Sequence, residues 1–491
     1  MQHEHQPGTH RGCGVLRPLS RIVLLSPPVG NGNLGDEATL AAIIQNLRRR
    51  RPAVEIFVIS PNPDETRIRH GVEAWPIGHI RSHVLAPPED STGTTAESQP
   101  LRNASLRGAL KRVLKRVPPL YRLLKTVNAV PSISSGILAE ARSVTASMRY
   151  LKGTDLLIMS GSGSFCDHFG GPFNFPYTIF KWSLLARIFR IPVIFPSVGV
   201  GPLQSRLSRL LVRASIAMAS YRTVRDVTSQ KLLDEVGVRR ETRVLPDLAF
   251  SLNVSALSPR PRGDALLVGI NVFPHFDPRF WPKADADKYA CYVHLMTSFV
   301  GWLFSHGYRV VLFPTQVRAD ALVIDDVRKL LSQQYPAVAQ SLCELPVRDV
   351  PDLIRVLGVV DIVVASRFHG ILLSFLLERP VLGISNHHKM ADLMRSIGQS
   401  EYLLDVDSLT LEALIERFSR LHYNREHVCR EIAKRVAEYQ LALARQYDTL
   451  FGGRSTRTEK APDKEKKIHA NQQSSKRILN DAQELARPSD D

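Results

Sequence analysis

Short apolar segments alternate with amphipathic segments along most of this chain. Residues 21–26 (RIVLLS) are apolar, the glycine-rich loop PPVGNGNLGD and an amphipathic run over residues 37–47 follow, and residues 54–59 are apolar again. This order of strand, loop, helix and strand is typical of a β-α-β unit, whose strands are parallel. The same alternation runs from residue 155 to residue 384. The sequence therefore predicts an α/β fold with parallel sheets.

Two domains are expected, because 491 residues exceed what a single hydrophobic core usually fills. Residues 253–264 are rich in Ser, Pro and Arg, as interdomain linkers often are. We predict a Rossmann-like domain over residues 21–252, with a basic insertion over residues 77–150, and a second Rossmann-like domain over residues 265–450. The two domains would face each other across a cleft lined by the carboxyl ends of their strands.

The composition limits the partners of the chain. Its net charge of +17 favours an anionic partner, which could be phosphate, nucleic acid, an acidic glycan or a lipid surface. Aromatic residues make up only 7% of the chain and do not interleave with basic ones, which argues against nucleic acid. The five cysteines form no CxxC pair, so the pattern suits a reducing compartment rather than a disulfide framework or structural zinc site.

The sequence shows no signal for membrane insertion. It contains no run of about eighteen uninterrupted apolar residues, and residues 1–18 lack the apolar core of a signal peptide. Residues 1–20 and 451–491 have few large apolar side chains and are expected to be disordered. We therefore expect a cytoplasmic protein.

A basic amphipathic helix is predicted inside the insertion. In residues 101–119 (LRNASLRGALKRVLKRVPP) leucine and valine recur at helical spacing, basic residues occupy the other positions, and no acidic residue occurs between Glu97 and Glu140. Two interpretations stay open. The helix is either solvated, with its apolar face on the protein, or residues 102–127 contact the inner face of the plasma membrane peripherally.

Two glycine-containing loops are candidate binding segments. In VGNGNLGDEATL the glycines let the backbone approach a ligand, and Asn33 and Asp36 lie where a helix begins. Asp36 can cap that helix, contact a substrate hydroxyl, or do both. An acidic residue at this position would repel phosphate, which argues against a dinucleotide site. In GSGSF, residues Gly161, Ser162 and Gly163 can present amides to a sugar or carboxylate, although tight turns also need glycine.

Arg225 directly follows the predicted strand over residues 221–224, so it lies at the cleft edge of its domain. It is either an ordinary salt-bridge partner of Asp226 or Asp234, or a fixed cation whose planar fork matches carboxylate or phosphate.

The segment SRFHG joins an apolar strand over residues 361–365 to a helix predicted to begin near His369. In extended backbone, alternate side chains point the same way, so Arg367 and His369 would share a direction while Phe368 turns into the core. The helix N-terminus would face the same place. These features predict an anion site that carries a titratable group.

A second cationic segment, ISNHHKM, follows the next strand. Adjacent His387 and His388 point apart and make a poor metal pair without a third ligand. Two other interpretations stay open. The segment is either a solvent-facing loop, or it adds a second cation, chiefly Lys389, to the anion site.

Taken in order, the motifs NxGDE, GSGSF, RDxxSxxLL, LPDLAF, SRFHG and HHK resemble those of the polysaccharide pyruvyl transferase family. The resemblance spans about residues 21–398 and is interrupted by the insertion. It implies a GT-B-like architecture of two Rossmann-like domains. It also implies transfer of the pyruvyl group of phosphoenolpyruvate onto two hydroxyls of a glycan sugar as a cyclic ketal, in exopolysaccharide and cell envelope biosynthesis.

The resemblance also implies roles for individual residues. Arg225, Arg367, His369 and Lys389 would bind phosphoenolpyruvate, with His369 and Arg367 catalytic and His369 acting as general acid. The acceptor, a glycan or lipid-linked sugar, would contact the two loops described above through Asn33, Asp36, Gly161, Ser162 and Gly163. No step requires a metal or cofactor.

The alternative function is that of a GT-B nucleotide-sugar glycosyltransferase in cell-surface polysaccharide synthesis. Such an enzyme would share the helix N-terminal phosphate site but would also need ribose and base contacts, often from a carboxylate in the second domain. Glu378 and Asp392 are candidates for that carboxylate. A third possible function is that of a basic adaptor that binds nucleic acid or a membrane. The basic residues on which such an adaptor would rely concentrate in the insertion and the tail, away from the cleft motifs.

Overall fold

The computed structural model of the chain describes residues 19–78, 138–161, 163–168, 170–238, 242–254, 265–281 and 284–452. The predicted basic helix over residues 102–127 and most of the predicted linker lie outside the described residues. So do the two predicted disordered ends, apart from the few residues at their inner edges. Among the described helices, none is long and apolar enough to cross a membrane.

The first sheet contains seven parallel strands in the order β3-β2-β1-β4-β5-β6-β7. They are β1 (Arg21–Leu25), β2 (Glu55–Ser60), β3 (Glu73–Pro76), β4 (Leu156–Met159), β5 (Val193–Val198), β6 (Tyr221–Val224) and β7 (Arg243–Val244). The central strands are apolar and buried, as expected in a parallel sheet that helices cover on both faces. The strand order reverses between β1 and β4, and ligands of open α/β sheets bind at such a point.

Six helices accompany this sheet in the described part of the chain. They are α1 (Leu34–Arg50), α2 (Pro63–His70), α3 (138–151), α4 (Phe175–Ile188), α5 (Arg206–Met218) and α6 (Val227–Glu235). Side-chain caps mark where helices begin. At α1 the side-chain carbonyl of Asn33 accepts the Gly35 N–H, and at α6 the Asp226 carboxylate accepts the Ser229 N–H.

The second sheet contains five parallel strands in the order β12-β11-β10-β8-β9. They are β8 (Leu267–Asn271), β9 (Arg309–Leu312), β10 (Ile362–Ala365), β11 (Val381–Ser385) and β12 (Leu403–Asp405). The helices that follow the linker are α7 (Ala286–Ser305), α8 (Ala319–Gln334), α9 (Pro336–Ser341), α10 (Val350–Val359), α11 (Phe368–Leu376), α12 (His388–Ile397) and α13 (Leu411–Phe451). The predicted α/β architecture of two Rossmann-like domains is therefore confirmed.

The end of the long helix α13 packs against the first domain. The Thr223 hydroxyl on β6 donates to the Gln446 side chain over 3.1 Å, and the Arg50 guanidinium on α1 pairs with Asp448 at 2.8 Å. The buried Tyr447 ring belongs to the same apolar cluster as β1 and β8. Residues of the last helix, placed by sequence in the second domain, thus help to hold the first one.

The glycine-rich loop after β1 pairs with backbone of the second domain. The Leu34 N–H donates to the Thr315 carbonyl (2.8 Å), the Val317 N–H donates to the Gly32 carbonyl (2.9 Å), and the Gln316 side chain donates to the Asn31 carbonyl (2.8 Å). Gly32 has a φ of +77°, and a Cβ there would lie 2.9 Å from Val317 Cγ2. Gly32 was expected to let a ligand approach the backbone, but in the structure Val317 of the second domain lies there.

We predict that Gly32→Ala destabilises the protein more than Gly307→Ala does. Both glycines have left-handed backbone, which costs a residue with a Cβ about 1–2 kcal/mol. A Cβ at Gly307 meets nothing within 4 Å, so only Gly32→Ala adds an overpacking cost of about 1–3 kcal/mol. Urea unfolding of the two variants measures the difference, and equal losses would contradict the close approach of the two domains.

Candidate active site

Cations from both domains face the same glycine. Arg225 follows β6 in the first domain and Lys389 lies in the first turn of α12 in the second. A Cβ built on Gly163 would lie 3.4 Å from Arg225 Nη2 and also 3.4 Å from Lys389 Nζ. A Cβ on Gly199 would lie 2.6 Å from Arg225 Nε, and one on Gly201 would lie 3.7 Å from Lys389 Nζ. The glycines after β4 and β5 therefore leave the room that these two cations occupy.

Neighbouring side chains fix the Arg225 guanidinium. Its Nη1 donates to Asp247 over 2.9 Å, its Nε lies 3.5 Å from Asp226, and only 4% of its side chain is exposed. The Phe368 ring lies over the guanidinium, with 4.5 Å between Cζ and the ring centroid. Phe368 was expected to turn into the core; its half-buried ring packs against the apolar core and also covers Arg225. The stronger acidic partner is Asp247 rather than Asp226 or Asp234.

Lys389 is a half-buried cation beside another cation. Burial lowers the pKa of its ammonium group, and Arg225 lowers it further. The Lys389 N–H donates to Nδ1 of His387, which caps α12, and the His387 and His388 rings lie 4.0 Å apart. The described residues contain no group of three or more His, Cys, Asp or Glu side chains that could hold a metal ion.

His369 lies directly against the first turn of α1. A Cβ on Gly35 would lie 2.0 Å from His369 Nδ1, so only glycine fits at that position. The Nε2 atom is buried and meets no hydrogen-bonding group among the described residues. Burial lowers the pKa of this imidazole to about 4, with Asp247 opposing the shift and Arg225 and Lys389 adding to it. The imidazole is therefore neutral at neutral pH in the free protein.

Arg367 directly precedes α11, and a buried carboxylate holds its side chain. Its Nε and Nη2 donate to Asp320 Oδ1 over 3.1 and 2.5 Å, and its Cζ lies 5.7 Å from the Phe273 ring. Asp320 is fully buried and also accepts the backbone N–H groups of Thr315 and Gln316. Arg367 and His369 were expected to point the same way, but the structure gives the two side chains different neighbours.

The two acidic residues that begin α1 have different partners. Glu37 is buried and accepts the Gly30 N–H at 2.8 Å, and it contacts the His70 imidazole at 2.6 Å, so it holds the loop. Asp36 accepts an N–H of the Asn33 side chain at 2.7 Å. Burial raises the pKa of Asp36 to about 7, against the opposing effect of Arg225. Asp36 thus lies near the cations as a carboxyl group that is partly protonated at neutral pH.

The GSGSF loop contributes one described residue to this cluster, which is Gly163. Gly161 has a φ of +68°, and a Cβ there would lie 2.6 Å from Leu248 Cδ1 and 3.0 Å from the Pro196 carbonyl, so its place is in a packed turn. Ser162 lies outside the described residues.

A cavity of about 310 Å³ opens beside the cluster, between β6 and β7 of the first domain and α12 and α13 of the second. Arg225, Asp247, Phe368 and Lys389 line it. Asp392 also lines this cavity, where it accepts the Thr228 hydroxyl at 2.5 Å. A space of this size can hold a small anionic ligand and part of a sugar.

Sequence reasoning overlooked Asp247 and Asp320, the carboxylates that hold the two arginines. Asp247 was detectable, because it is the aspartate of the LPDLAF motif, which follows a strand, and the carboxyl ends of parallel strands share one edge. Asp320 lies one residue into a helix with no nearby motif, and nothing in the sequence indicates its pairing with Arg367.

Solved structures share this fold. The S. aureus MnaA–UDP co-structure superposes with a TM-score of 0.51 at 11% identity, over 87% of this chain and 94% of that one. A putative UDP-N-acetylglucosamine 2-epimerase from Listeria monocytogenes gives the same TM-score at 10% identity, again over 87% and 94%. At this identity the likeness shows the fold alone, which is GT-B-like.

Sequence comparison identifies the family. The amylovoran biosynthesis protein AmsJ of Erwinia amylovora is 22% identical over 440 residues, which cover 84% of this chain and 95% of that protein. The sequence model of the polysaccharide pyruvyl transferase family matches residues 33–388, well over half of the chain. That match includes Arg225, Arg367 and His369, and Lys389 lies one residue beyond its end. The chain therefore belongs to the polysaccharide pyruvyl transferase family.

Proposed function

We infer that the chain is a transferase in polysaccharide pyruvylation, and its family membership supports this. We propose that its donor is phosphoenolpyruvate and that its product is a glycan whose sugar carries a cyclic pyruvyl ketal. The observation that supports this most is the pair formed by Arg225 and Lys389, one from each domain, around Gly163. Two fixed cations at a glycine-lined surface suit a small ligand with concentrated negative charge.

The donor carries two anionic groups, and the site offers two places for them. In this proposal Arg225 and Lys389 bind the phosphate, next to the backbone of Gly163 and Gly199. Arg367 binds the carboxylate, and its bonds to Asp320 hold the guanidinium in a single orientation before the donor arrives.

The reaction then needs one proton at carbon and two attacks at C2. Protonation of the donor's methylene carbon gives a methyl group and makes C2 electrophilic, and one sugar hydroxyl forms a bond to C2. The C2–O bond to phosphate breaks, with its electron pair leaving on phosphate, and the second hydroxyl closes the ketal. The two hydroxyl protons balance the reaction, because one replaces the proton given to carbon and the other leaves with phosphate.

His369 is the proposed acid and base. Its imidazole is neutral in the free protein, and a bound dianion beside it raises its pKa, so donor binding brings in the proton that the carbon receives. The unpartnered Nε2 is the atom available for this transfer. Asp36, whose pKa is already near 7, is proposed to accept a hydrogen bond from an attacking sugar hydroxyl.

The direct test is turnover. Purified protein is mixed with phosphoenolpyruvate and a panel of soluble and lipid-linked glycans, and both released phosphate and the mass of the glycan are measured. We expect phosphate release that depends on the glycan, with the pyruvyl mass added to the sugar. Sugar transfer from nucleotide sugars with no use of phosphoenolpyruvate would contradict the proposal.

We predict that His369→Ala lowers the turnover number by about 10² to 10⁴, as the loss of a positioned acid-base group does. Donor affinity, measured by calorimetry, should change much less. The exposed His294→Ala on α7 is the matched control and should keep full turnover. Unchanged turnover of His369→Ala would eliminate the acid-base role.

The two arginines can be assigned by comparing Arg225→Lys with Arg367→Lys. A lysine keeps the charge but loses the fork, so each variant should bind phosphoenolpyruvate about tenfold more weakly, near the value of one charge-assisted hydrogen bond. Inorganic phosphate, used as a competitor in calorimetry, should bind more weakly to Arg225→Lys only. Equal weakening of phosphate binding in both variants would contradict the assignment.

We predict that Asp36 makes stability fall as pH rises. Its pKa is about 7 in the folded protein against an ordinary value of 3.8, so the folded state binds more protons between these values and loses stability across that window. Asp36→Asn should therefore gain about 2–4 kcal/mol over the wild type at about pH 8 and nothing near pH 4. Exposed Asp325→Asn should match the wild type at both pH values. A stability gain that does not change with pH would refute the role of this carboxyl.

A further inference from the structure

One face of the first domain exposes large apolar side chains in an unusual number. It is formed by α4, α5 and the short 3-10 turn Gly171–Phe173, which pack side by side. Its exposed apolar residues are Phe173 (64%), Leu184 (39%), Ile188 (60%), Phe189 (42%), Leu207 (37%) and Leu210 (60%). We call this surface the α4–α5 face. Exposed apolar side chains that concentrate on neighbouring packed elements, rather than being scattered singly, are typical of an interaction site.

The charges on the α4–α5 face have one sign. The chain contains no Asp or Glu from residue 168 to residue 225. The exposed basic residues among the apolar ones are Arg187, Arg190, Arg206, Arg209 and Arg213. Two acidic residues beside these helices are already paired, because Asp167 accepts the Gln204 and Ser205 N–H groups and Glu140 pairs with Lys181 at 3.0 Å.

This charge pattern selects among partners. A second copy of the chain, seated on the same face about a two-fold axis, would bring arginines against arginines. A surface of dense negative charge above an apolar layer matches both features at once, and that is the character of a bilayer with anionic headgroups.

We propose that the α4–α5 face docks peripherally on an anionic membrane. The connections that enter α4 and α5 leave the carboxyl ends of β4 and β5, as does the Gly163 loop of the cleft. Phe173, Leu207 and Leu210 lie at these entries, so the docked face places the rim of the cleft near the lipid headgroups. If the proposed function also holds, the acceptor is a glycan linked to a lipid of that membrane.

The proposal is tested by sedimenting the full-length protein with vesicles of phosphatidylcholine, with and without phosphatidylglycerol. We expect binding that requires phosphatidylglycerol and weakens in high salt. The double variant Leu207→Gln/Leu210→Gln should bind at least about tenfold more weakly, from lost apolar burial. Arg187→Gln/Arg206→Gln should lose about fivefold per arginine.

Matched controls separate this face from general stickiness and from the insertion. Ile68→Gln and Leu441→Gln remove exposed apolar side chains elsewhere, and both should bind as the wild type does. Substituting Lys111, Arg112, Lys115 and Arg116 by Gln tests the predicted basic helix. If that variant alone lost vesicle binding while both α4–α5 variants kept it, the proposal would be overturned.

Two other results would overturn the proposal of membrane docking. Absence of vesicle binding by the wild type overturns the proposal, as does dissociation of a dimer by the leucine variant in analytical ultracentrifugation.

The thermal shift caused by phosphoenolpyruvate should be the same in all of these variants, since none alters the cleft. Loss of the donor response in the wild type itself would count against the proposed function and leave membrane docking to be judged by sedimentation.

Discussion

The backbone pairing between the loop after β1 and residues 315–317 sets the geometry on which the site depends. These hydrogen bonds hold the first turn of α1 against the second domain, so that Gly35 lies on the His369 ring and Asp36 comes near the cations of both domains. Only a residue without a side chain permits the approach of Gly32 to Val317 and that of Gly35 to His369. The NxGDE motif is therefore first a contact between domains, and that contact brings Asp36 near the cation cluster.

That closeness explains the electrostatics of the cluster. Lys389 and His369 lie near Arg225, and burial lowers the pKa of the Lys389 ammonium group and of the His369 imidazole. Asp247 offsets part of the positive charge through its bond to Arg225. A ligand that brings two negative charges would relieve the remaining repulsion, so binding energy and proton uptake are coupled in this arrangement. In the proposed mechanism, the imidazole of His369, kept neutral first by burial and then by Arg225 and Lys389, would become an acid only after the donor has bound.

Much of the fold was predictable, because its strands are buried apolar runs and its helices have clear boundaries. The predicted strands over residues 221–224 and 361–365 were located within one residue. Helix α2 and strand β3 were not predicted, since PDETRIRH is almost wholly polar and EAWP is only four residues long. Strand β12 was also missed, because three residues form no pattern.

The candidate site was predictable only in part. Placing candidates at strand ends brought Arg225 and Lys389 together correctly, because the edges of two parallel sheets meet. The orientation of each side chain depends on partners far away in sequence, such as Asp320 for Arg367, and no local pattern carries that information. Phe368 is an example: its apolar ring was predicted to turn into the core, and its contact with the Arg225 guanidinium was not predicted.

The most direct measurement is a calorimetric titration of the wild-type protein with phosphoenolpyruvate and, in parallel, with a uridine diphosphate sugar. The account predicts saturable binding of phosphoenolpyruvate accompanied by proton uptake, and no comparable binding of the sugar nucleotide. Tight binding of the sugar nucleotide with no heat from phosphoenolpyruvate would contradict it.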